Sequence, residues 1–355
     1  MLKVGINGFG RIGRTIFRIN QFNPVFEINA INDIDPLIEN HAYLANYDSV
    51  YGSLINKVSV SNNKKHIING EKLIAFYSKD YIDQVPWNEN NVDIVIDSSG
   101  IHDNVVNSSK LVKNGIKKIV ITHSPNNNVD HTIIIGANEN TFVNKKHNII
   151  SSSICDANAC APVLKLLDEE FGIIDGFITT LHPWLGYQNL LDGSLRSVSN
   201  PGHFWSDFAL GRSSTDSLIP KPTSLVSALQ KVIPDCTKNI YAMSVRVPTS
   251  IVSASDMVLS LDKKISHKLI EDAFCKLQLK YPDVIKLNQE SLVSIDYKGI
   301  KQSCIIDLQW LEIINNKLKL VLWYDNEWGY SNRVIDLVKL ISSKCIILMK
   351  IQYIF

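Results

Sequence analysis

A cysteine in the stretch SSSICDANACAP, residues 151–162, is the first residue with reactive chemistry of its own. Cys155 is followed three residues on by Asn158, an arrangement typical of a loop that carries a catalytic cysteine. The thiolate is the nucleophilic form of cysteine, and neighbouring positive charges favour it. Asp156 follows directly instead. Its carboxylate is expected to raise the pKa of the Cys155 thiol unless a nearby cation offsets it.

A second group of residues is typical of a nucleotide site. The run INGFGRIGR places Gly8, Gly10 and Gly13 in the spacing GxGxxG, after an apolar strand pattern and before a helical one. The first glycine permits a tight turn, the second lets backbone approach a pyrophosphate, and the third lets helix and strand pack closely. Asp33 ends the next strand, where a carboxylate accepts from ribose hydroxyls and repels a 2′-phosphate. The pattern predicts NAD rather than NADP, and a glycine-rich turn without a ligand is the alternative.

The composition indicates a globular protein with two domains. The chain has 355 residues, enough for two cores of ordinary size. Its hydrophobic fraction is 45%, its charged fraction 20% and its net charge +1, so no general attraction to nucleic acid or membrane surfaces is indicated. The six cysteines are scattered without a CxxC pair, which predicts neither a metal site nor a disulfide framework. Reduced thiols of this kind favour a cytoplasmic protein.

Neither a targeting segment nor a membrane anchor is predicted. The first residues, MLKVGINGFG, show a strand-and-turn pattern rather than that of a signal peptide. No apolar run reaches the roughly 18 residues that a membrane helix needs. The C-terminal run KCIILMKIQYIF is apolar but short and contains Lys350. We expect it to form a last helix or strand packed on the body of the protein.

The first part of the chain alternates strand and helix patterns, which predicts a mainly parallel sheet. One predicted helix, in residues 104–115, is closed by Gly115. The apolar strand patterns lie at residues 2–6, 27–33, 92–100 and 116–124. We therefore expect an α/β Rossmann domain in residues 1–154.

The pattern changes after about residue 155. An amphipathic helix is predicted at 161–172, and residues 317–341 predict a strand, a turn and a terminal helix. The segments that alternate like antiparallel strands are 176–182, 242–249 and 256–262. We expect an α+β catalytic domain with a mainly antiparallel sheet in residues 155–326, and a C-terminal helix and tail in residues 327–355 that packs back on the Rossmann domain.

Several motifs along the chain resemble one known family. They are KVGINGFGRIGR, INDI, YDSVYG, FGI, TTLH, RVPT and WYDNEWGYSNRV. Together they look like the phosphorylating, NAD-dependent glyceraldehyde-3-phosphate dehydrogenase family, whose superfamily includes the erythrose-4-phosphate dehydrogenases. The resemblance covers nearly the whole chain. It implies a Rossmann domain, a catalytic domain on an antiparallel sheet, a glycolytic oxidoreductase and a homotetramer.

The resemblance assigns roles to matching residues. Cys155 matches the nucleophile that forms a thiohemiacetal and then a thioester, and His182 matches the base that assists it. Without the surrounding motifs, a cysteine and a histidine so far apart would be interpreted as core residues. The matching cofactor residues, besides the three glycines and the aspartate, are Arg11 and Ile12 at the pyrophosphate and Thr122 and Asn326 near the nicotinamide.

The substrate side departs from the family pattern. Where the family has Ser-Cys-Thr-Thr-Asn-Cys, this chain has Ile154 and Asp156 around the cysteine, so two hydroxyls that help bind inorganic phosphate are missing. Leu185 replaces a threonine that helps hold the substrate phosphate. We expect inorganic phosphate to cleave the Cys155 thioester less effectively, or water to cleave it instead and release a carboxylic acid. The alternative is that Asp156 turns away and caps the following helix. The residues that still match phosphate subsites are Thr223, Arg212 and Arg246.

The chain between His182 and Arg212 is longer than the family usually has, with an extra segment around LRSVSNPGHFWSD. It is either a tolerated surface insertion or a remodelled substrate pocket that brings in Trp184, Tyr187 and Trp205.

Three functions stay open. The first is oxidation of a small phosphorylated aldehyde, with glyceraldehyde 3-phosphate as the first expectation. The second is oxidation of another aldehyde such as erythrose 4-phosphate, suggested by His123 in THSP. The third is a non-catalytic NAD-binding protein.

Overall fold

The computed structural model describes residues 1–194, 196 and 206–352. These residues form two compact units. The first unit consists of Met1–Ile133, Asn140–Ser152 and the described residues from Val334 onward. The second consists of Ile134–Glu139 and Ser153–Arg333. None of the described helices is long and apolar enough to cross a membrane.

The first unit alternates strands with helices, as the sequence predicts. Its complete helices are α1 (Arg11–Phe22), α2 (Ile38–Asn46) and α3 (His102–Lys113). Its strands are β1 (Lys3–Asn7), β2 (Glu27–Asn32), β3 (Tyr47–Asp48), β4 (Gly52–Ser53), β5 (Ser59–Val60), β6 (His66–Asn69), β7 (Lys72–Tyr77), β8 (Ile94–Asp97), β9 (Lys118–Ile121), β10 (His131–Thr132) and β11 (Ile149–Ser151). The helix predicted to close at Gly115 is α3, and Gly115 has a φ of +104°, a conformation that glycine adopts readily.

The large sheet of the first unit has a point where the strand order reverses. Within the described residues its order is β10-β11-β9-β8-β1-β2-β7-β6-β5. Strand β1 pairs in parallel with both β2 and β8. After β1 the chain passes through α1 to β2 on one side of β1, and later it adds β8, followed by α3, on the other side. The carboxyl ends of β1 and β8 are therefore neighbours. Open α/β sheets bind ligands in the crevice at such a point.

The second unit contains one large sheet and the helices packed on it. Its helices are α4 (Cys155–Phe171), α5 (Leu225–Gln230) and α6 (His267–Lys280), and α7 (Trp328–Gln352) begins in it. Its strands are β12 (Ile173–Pro183), β13 (Ile219–Pro222), β14 (Ile240–Val247), β15 (Ser253–Leu261), β16 (Ile285–Asn288), β17 (Cys304–Ile314) and β18 (Lys317–Tyr324). Much of the apolar C-terminal run predicted as a helix or strand belongs to α7.

The sheet of the second unit is mainly antiparallel, as expected, although one of the three segments that alternate like antiparallel strands runs parallel to its neighbour. In the described residues its order is β13-β14-β12-β15-β18-β17-β16. Strand β15 is antiparallel to β12, as expected, whereas β14 runs parallel to β12. The chain between β12 and β14 passes through β13 and α5, a crossover long enough to return it to the same end of the sheet. Period-two alternation does not distinguish the two directions.

Helix α4 begins six residues earlier than the sequence predicts, at Cys155 itself. Aspartate and asparagine favour turns and caps, which is why the sequence predicts a loop around them. The small residues Ala157, Ala159 and Ala161 are fully buried, and this burial holds the first turns in the core. The cysteine therefore lies at a helix N-terminus, where backbone N–H groups point outward.

Candidate active site

A cleft of about 150 Å³ lies at the reversal point of the first unit's sheet. It is lined by the turn after β1, the end of β2 and the turn after β8, including Gly8, Gly10, Asp33, Ser98 and Ser99. Each of these turns follows the carboxyl end of a parallel strand. The cleft is therefore in the position at which this kind of sheet holds a nucleotide.

The three glycines of the motif differ in what surrounds them. Gly8 has a φ of +85°, and an added Cβ would lie 2.5 Å from the backbone nitrogen of Ser99. A Cβ on Gly13 would lie 2.2 Å from the carbonyl oxygen of Gly8, so the start of α1 packs directly on the turn that follows β1. A Cβ on Gly10 would meet no described atom within 4 Å and would project into open space. This arrangement matches a tight turn, a close packing contact and an open approach for a pyrophosphate.

Asp33 is anchored beside this turn. Its Oδ2 accepts from the backbone nitrogen of Phe9 at 2.6 Å, and its Oδ1 accepts from that of Asp35 at 3.1 Å. A carboxylate held in this way at the cleft has lone pairs left for ribose hydroxyls. The residues of the first unit thus fit a dinucleotide.

Two predicted pyrophosphate residues open α1. Arg11 and Ile12 are the first residues of the helix, and Gly10 before them has no side chain with which to cap it. The Arg11 guanidinium pairs with Asp48 at 2.6 Å, which leaves any pyrophosphate contact to the backbone N–H groups of the turn. Thr122 follows β9, and both its backbone nitrogen and its hydroxyl donate to the Asp97 carbonyl at 3.0 Å.

The second unit brings the predicted cysteine and histidine together. Cys155 starts α4 and His182 lies next to last in β12, and their Sγ and Nε2 atoms are 3.7 Å apart. His182 Nδ1 lies 2.8 Å from the Pro183 carbonyl oxygen, which can only accept. We therefore assign the proton to Nδ1 and the lone pair to Nε2, facing the thiol. Burial, assisted by the charge of Arg246, lowers the pKa of His182 to about 4, so the ring is neutral near pH 7.

Asp156 is buried within this cluster rather than turned away to cap the helix. The Tyr324 hydroxyl donates to its Oδ1 at 2.9 Å, and the Cys155 thiol lies 3.3 Å from the same oxygen. Burial raises the pKa of Cys155 well above its usual range, and the Asp156 charge raises it further, while the charge of Arg246 opposes the shift. The position at a helix N-terminus, which usually favours a thiolate, is outweighed in this arrangement.

Arg246 provides a cation at the same end of the sheet. It is the register partner of His182 across the β12–β14 pair and is 93% buried. Its Nε is buried without a hydrogen-bond partner among the described residues. Buried guanidinium nitrogens are normally satisfied, and carboxylates or phosphates satisfy them best. Arg246 is thus a candidate anion ligand.

The other predicted phosphate residues have different surroundings. Thr223 Oγ1 accepts from the Leu225 backbone nitrogen at 3.2 Å at the start of α5. Arg212 is largely exposed and pairs through Nε with Asp192 at 2.8 Å. Leu185 brings no hydroxyl, and its backbone nitrogen donates to Gln188 Oε1 at 2.9 Å. The described contacts therefore group Arg246 with the cysteine and histidine, and they place Arg212 in an exposed ion pair.

The closing motif WYDNEWGYSNRV supports the turn that carries the cysteine. Tyr330 Oη donates to the Ser153 carbonyl at 3.0 Å, two residues before Cys155. Asn326 Oδ1 accepts from the Val252 backbone nitrogen at 3.1 Å, and this bond orients the amide. Val252 has a φ of +71°, a strained value for a β-branched residue. With its oxygen engaged, Asn326 presents its NH₂ group as a donor, as its predicted role with a nicotinamide carboxamide requires.

Sequence analysis missed three residues of this site: Tyr324, Tyr330 and Val252. Both tyrosines were inside a quoted motif, but only tertiary contacts show that one reaches Asp156 and the other the turn before Cys155. A positive φ at a valine has no sequence signal at all.

Trp205 and most of the extra segment, 195 and 197–205, lie outside the described residues. Tyr187 packs on a small apolar cluster with Leu210 and Ile219.

Comparison with known families matches both parts of the chain. The family described as "Glyceraldehyde 3-phosphate dehydrogenase, NAD binding domain" matches residues 2–105. The family described as "Glyceraldehyde 3-phosphate dehydrogenase, C-terminal domain" matches residues 154–326. The first match covers the glycine turn and Asp33, and the second covers the Cys155–His182 cluster. NAD is therefore the cofactor that the cleft of the first unit fits.

Individual proteins show the same likeness over almost their full length. The chain is 37% identical to "Glyceraldehyde-3-phosphate dehydrogenase" of Geobacillus stearothermophilus, over 97% of this chain and 99% of the relative. It is 36% identical to "Glyceraldehyde-3-phosphate dehydrogenase 1" of Kluyveromyces lactis, over 96% of this chain and 99% of the relative. With both domains matched and identity of this level, the chain belongs to the glyceraldehyde-3-phosphate dehydrogenase family and is an NAD-dependent oxidoreductase.

Proposed function

We propose that this enzyme oxidises a small phosphorylated sugar aldehyde, with glyceraldehyde 3-phosphate as the first candidate, through a thioester on Cys155. Residues 1–154 would hold NAD, and residues 155–326 would carry the chemistry. The observation that supports this most directly is the pair of Cys155 and His182, 3.7 Å apart, with the Nε2 lone pair aimed at the thiol. A homotetramer, as the family resemblance implies, and a cytoplasmic location, as the scattered cysteines favour, are part of the same proposal.

The reaction assigns a separate task to each side chain. Bound NAD supplies the hydride acceptor. His182 Nε2 takes the thiol proton as Cys155 Sγ adds to the aldehyde carbon, and it passes that proton to the aldehyde oxygen, which gives a thiohemiacetal. The same nitrogen later takes the hydroxyl proton as the carbon is oxidised to the thioester. An imidazole with a pKa of about 4 is unprotonated before each step, so it is available as a base at neutral pH.

Arg246 supports a phosphorylated substrate. Its buried Nε has no partner among the described residues, and a phosphate oxygen would satisfy it. Thr223, two residues before α5, supplies a hydroxyl that retains acceptor and donor capacity beside its bond to Leu225. Erythrose 4-phosphate offers the same phosphate on a longer chain, and it remains the second candidate.

Asp156 determines how the thioester is released. A carboxylate about 6 Å from a phosphate dianion costs about 3 kcal/mol per unit charge at an effective dielectric near 20. Ile154 and Leu185 remove further hydroxyls that the family uses for phosphate. We propose that inorganic phosphate acts weakly, with Arg246 and Thr223 as its remaining ligands. Release by water to a carboxylic acid is the alternative.

An aldehyde panel tests this function. NADH formation is measured with glyceraldehyde 3-phosphate, erythrose 4-phosphate and unphosphorylated glyceraldehyde, each with and without inorganic phosphate. We expect the phosphorylated aldehydes to give the higher kcat/KM, because only they can pair with Arg246. If unphosphorylated glyceraldehyde reacts as fast as the phosphorylated aldehydes, the proposed substrate-phosphate site is ruled out. If no aldehyde gives NADH, the non-catalytic alternative is favoured.

The enzyme is expected to prefer NAD to NADP by at least about tenfold in kcat/KM, because the anchored Asp33 carboxylate repels a 2′-phosphate. Asp33→Gly should narrow this ratio. Asp35→Gly is the matched control, since Asp35 lies two residues away and its backbone nitrogen, not its side chain, contacts Asp33. Equal use of both cofactors by the unmodified enzyme would show that Asp33 does not select between them.

The rate of Cys155 alkylation by iodoacetamide is expected to rise with pH until well above the range in which an ordinary thiol ionises, because burial and Asp156 raise the thiol pKa. Asp156→Asn removes the charge and should move this rise to lower pH. The exposed Asp175→Asn on β12 serves as the control. Labelling of the Cys155 peptide is followed by mass spectrometry, and superimposable profiles would mean that Asp156 does not control the thiol.

A further inference from the structure

Three side chains of the second unit converge, and aldehyde oxidation requires only two of them. One ligand atom each from Cys155, Asp156 and His182 lies within 4.8 Å of the other two, and the described residues contain no other such group of three. Asp156 and His182 are buried, and the cysteine is half-buried. The set combines sulfur, carboxylate oxygen and imidazole nitrogen, a mixture that suits zinc far better than magnesium or calcium.

The distances fit a tetrahedral ion. With Zn–S near 2.3 Å and Zn–N near 2.0–2.1 Å, two such ligands on a tetrahedron lie about 3.6 Å apart. The observed separation of Cys155 Sγ and His182 Nε2 is 3.7 Å, and that of Sγ and Asp156 Oδ1 is 3.3 Å. Both separations from the sulfur are therefore within a few tenths of an ångström of those in a tetrahedral site, and the carboxylate and imidazole ligand atoms lie within 4.8 Å of each other.

The outer contacts are those that metal ligands usually have. The Nδ1 proton of His182 goes to the Pro183 carbonyl, which leaves Nε2 as the ligand atom. Tyr324 donates to Asp156 Oδ1 and orients the carboxylate, which has about four lone-pair positions and so keeps others for a metal. Arg246 is the nearby cation, and a thiolate and a carboxylate together balance the charge of a divalent ion.

We propose that Cys155, Asp156 and His182 bind one Zn²⁺ reversibly, with a fourth position for water or a small anion. The S–H bond of Cys155 breaks, the Zn–S bond forms and the proton passes to solvent, without any oxidation or reduction. Asp156 is the ligand that distinguishes this chain, because the family pattern has threonine at that position. On the proposed function, the ion would occupy both the nucleophile and the base and so stop oxidation until a chelator removes it.

Cobalt(II) titration of the full-length protein tests the site directly. We expect one equivalent to give tetrahedral d–d bands and a near-ultraviolet sulfur-to-cobalt charge-transfer band, and Zn²⁺ to displace both. Cys155→Ser should lose the charge-transfer band. Asp156→Asn should weaken binding by at least about tenfold, since even outer-shell changes cost that much. Cys275→Ser, which removes an exposed cysteine outside the cluster, should change neither.

Each result decides the proposal independently of catalysis. Absence of the charge-transfer band in the native protein, its persistence in Cys155→Ser, or unchanged affinity in Asp156→Asn would overturn it. Thermal melting and NAD binding confirm that each variant is folded. Where the enzyme forms NADH, Zn²⁺ should abolish it and EDTA should restore it, with Asp156→Asn less sensitive. An enzyme that forms no NADH but shows the cobalt spectrum would contradict the proposed function and leave the metal site supported.

Discussion

Replacing Cys155 by serine is expected to reduce aldehyde oxidation by at least about a thousandfold, the scale of loss on removing an enzyme's nucleophile. A hydroxyl is a much weaker nucleophile than a thiol at neutral pH, and His182 alone cannot generate an alkoxide from it. NAD binding should persist, because the glycine turn and Asp33 belong to the first unit and Cys155 belongs to the second. Initial rates of NADH formation and equilibrium NAD titration measure the two properties separately.

Cys275→Ser is the matched control for this experiment. It makes the same chemical change at an exposed cysteine of α6 and should leave the rate unchanged. Turnover by Cys155→Ser at the native rate would exclude the thioester mechanism. Loss of NAD binding together with activity would indicate a folding defect, which thermal melting would reveal.

Asp156→Thr is expected to lower the KM for inorganic phosphate by about tenfold to a hundredfold. The change removes a buried negative charge beside Cys155 and restores the hydroxyl that the family pattern has there. The lower figure allows for Ile154, which remains apolar, and the upper one corresponds to the repulsion of one unit of phosphate charge, about 3 kcal/mol. The measurement is the phosphate dependence of NADH formation at saturating aldehyde.

Asp156→Asn separates the two contributions, because it removes the charge without adding a hydroxyl. Product analysis by ³¹P NMR distinguishes an acyl phosphate from a free acid. If water releases the thioester in the native enzyme, Asp156→Thr should introduce a phosphate dependence that was not there before. A KM for phosphate that is the same in all three proteins would mean that Asp156 does not oppose this anion.

The sequence alone was enough to predict the family, the cofactor and the α/β architecture of the first part of the chain. These features depend on local patterns. A glycine turn between a strand and a helix, with Asp33 at the end of the next strand, has few structural solutions, and the family matches confirm it. The helix closed by Gly115 was also predictable, because a positive φ after a helix is met most easily by glycine.

The tertiary structure decided what surrounds the cysteine. Local propensity predicted a loop and left Asp156 free to cap a helix, whereas burial of three alanines starts α4 at Cys155 and brings the carboxylate to Tyr324, 168 residues later. The parallel direction of β14 likewise depends on a crossover and not on alternation. The cysteine, the aspartate and the histidine likewise come together only when α4 packs against β12. Contacts between residues far apart in the chain have no periodic signal, because the packing of whole elements sets them.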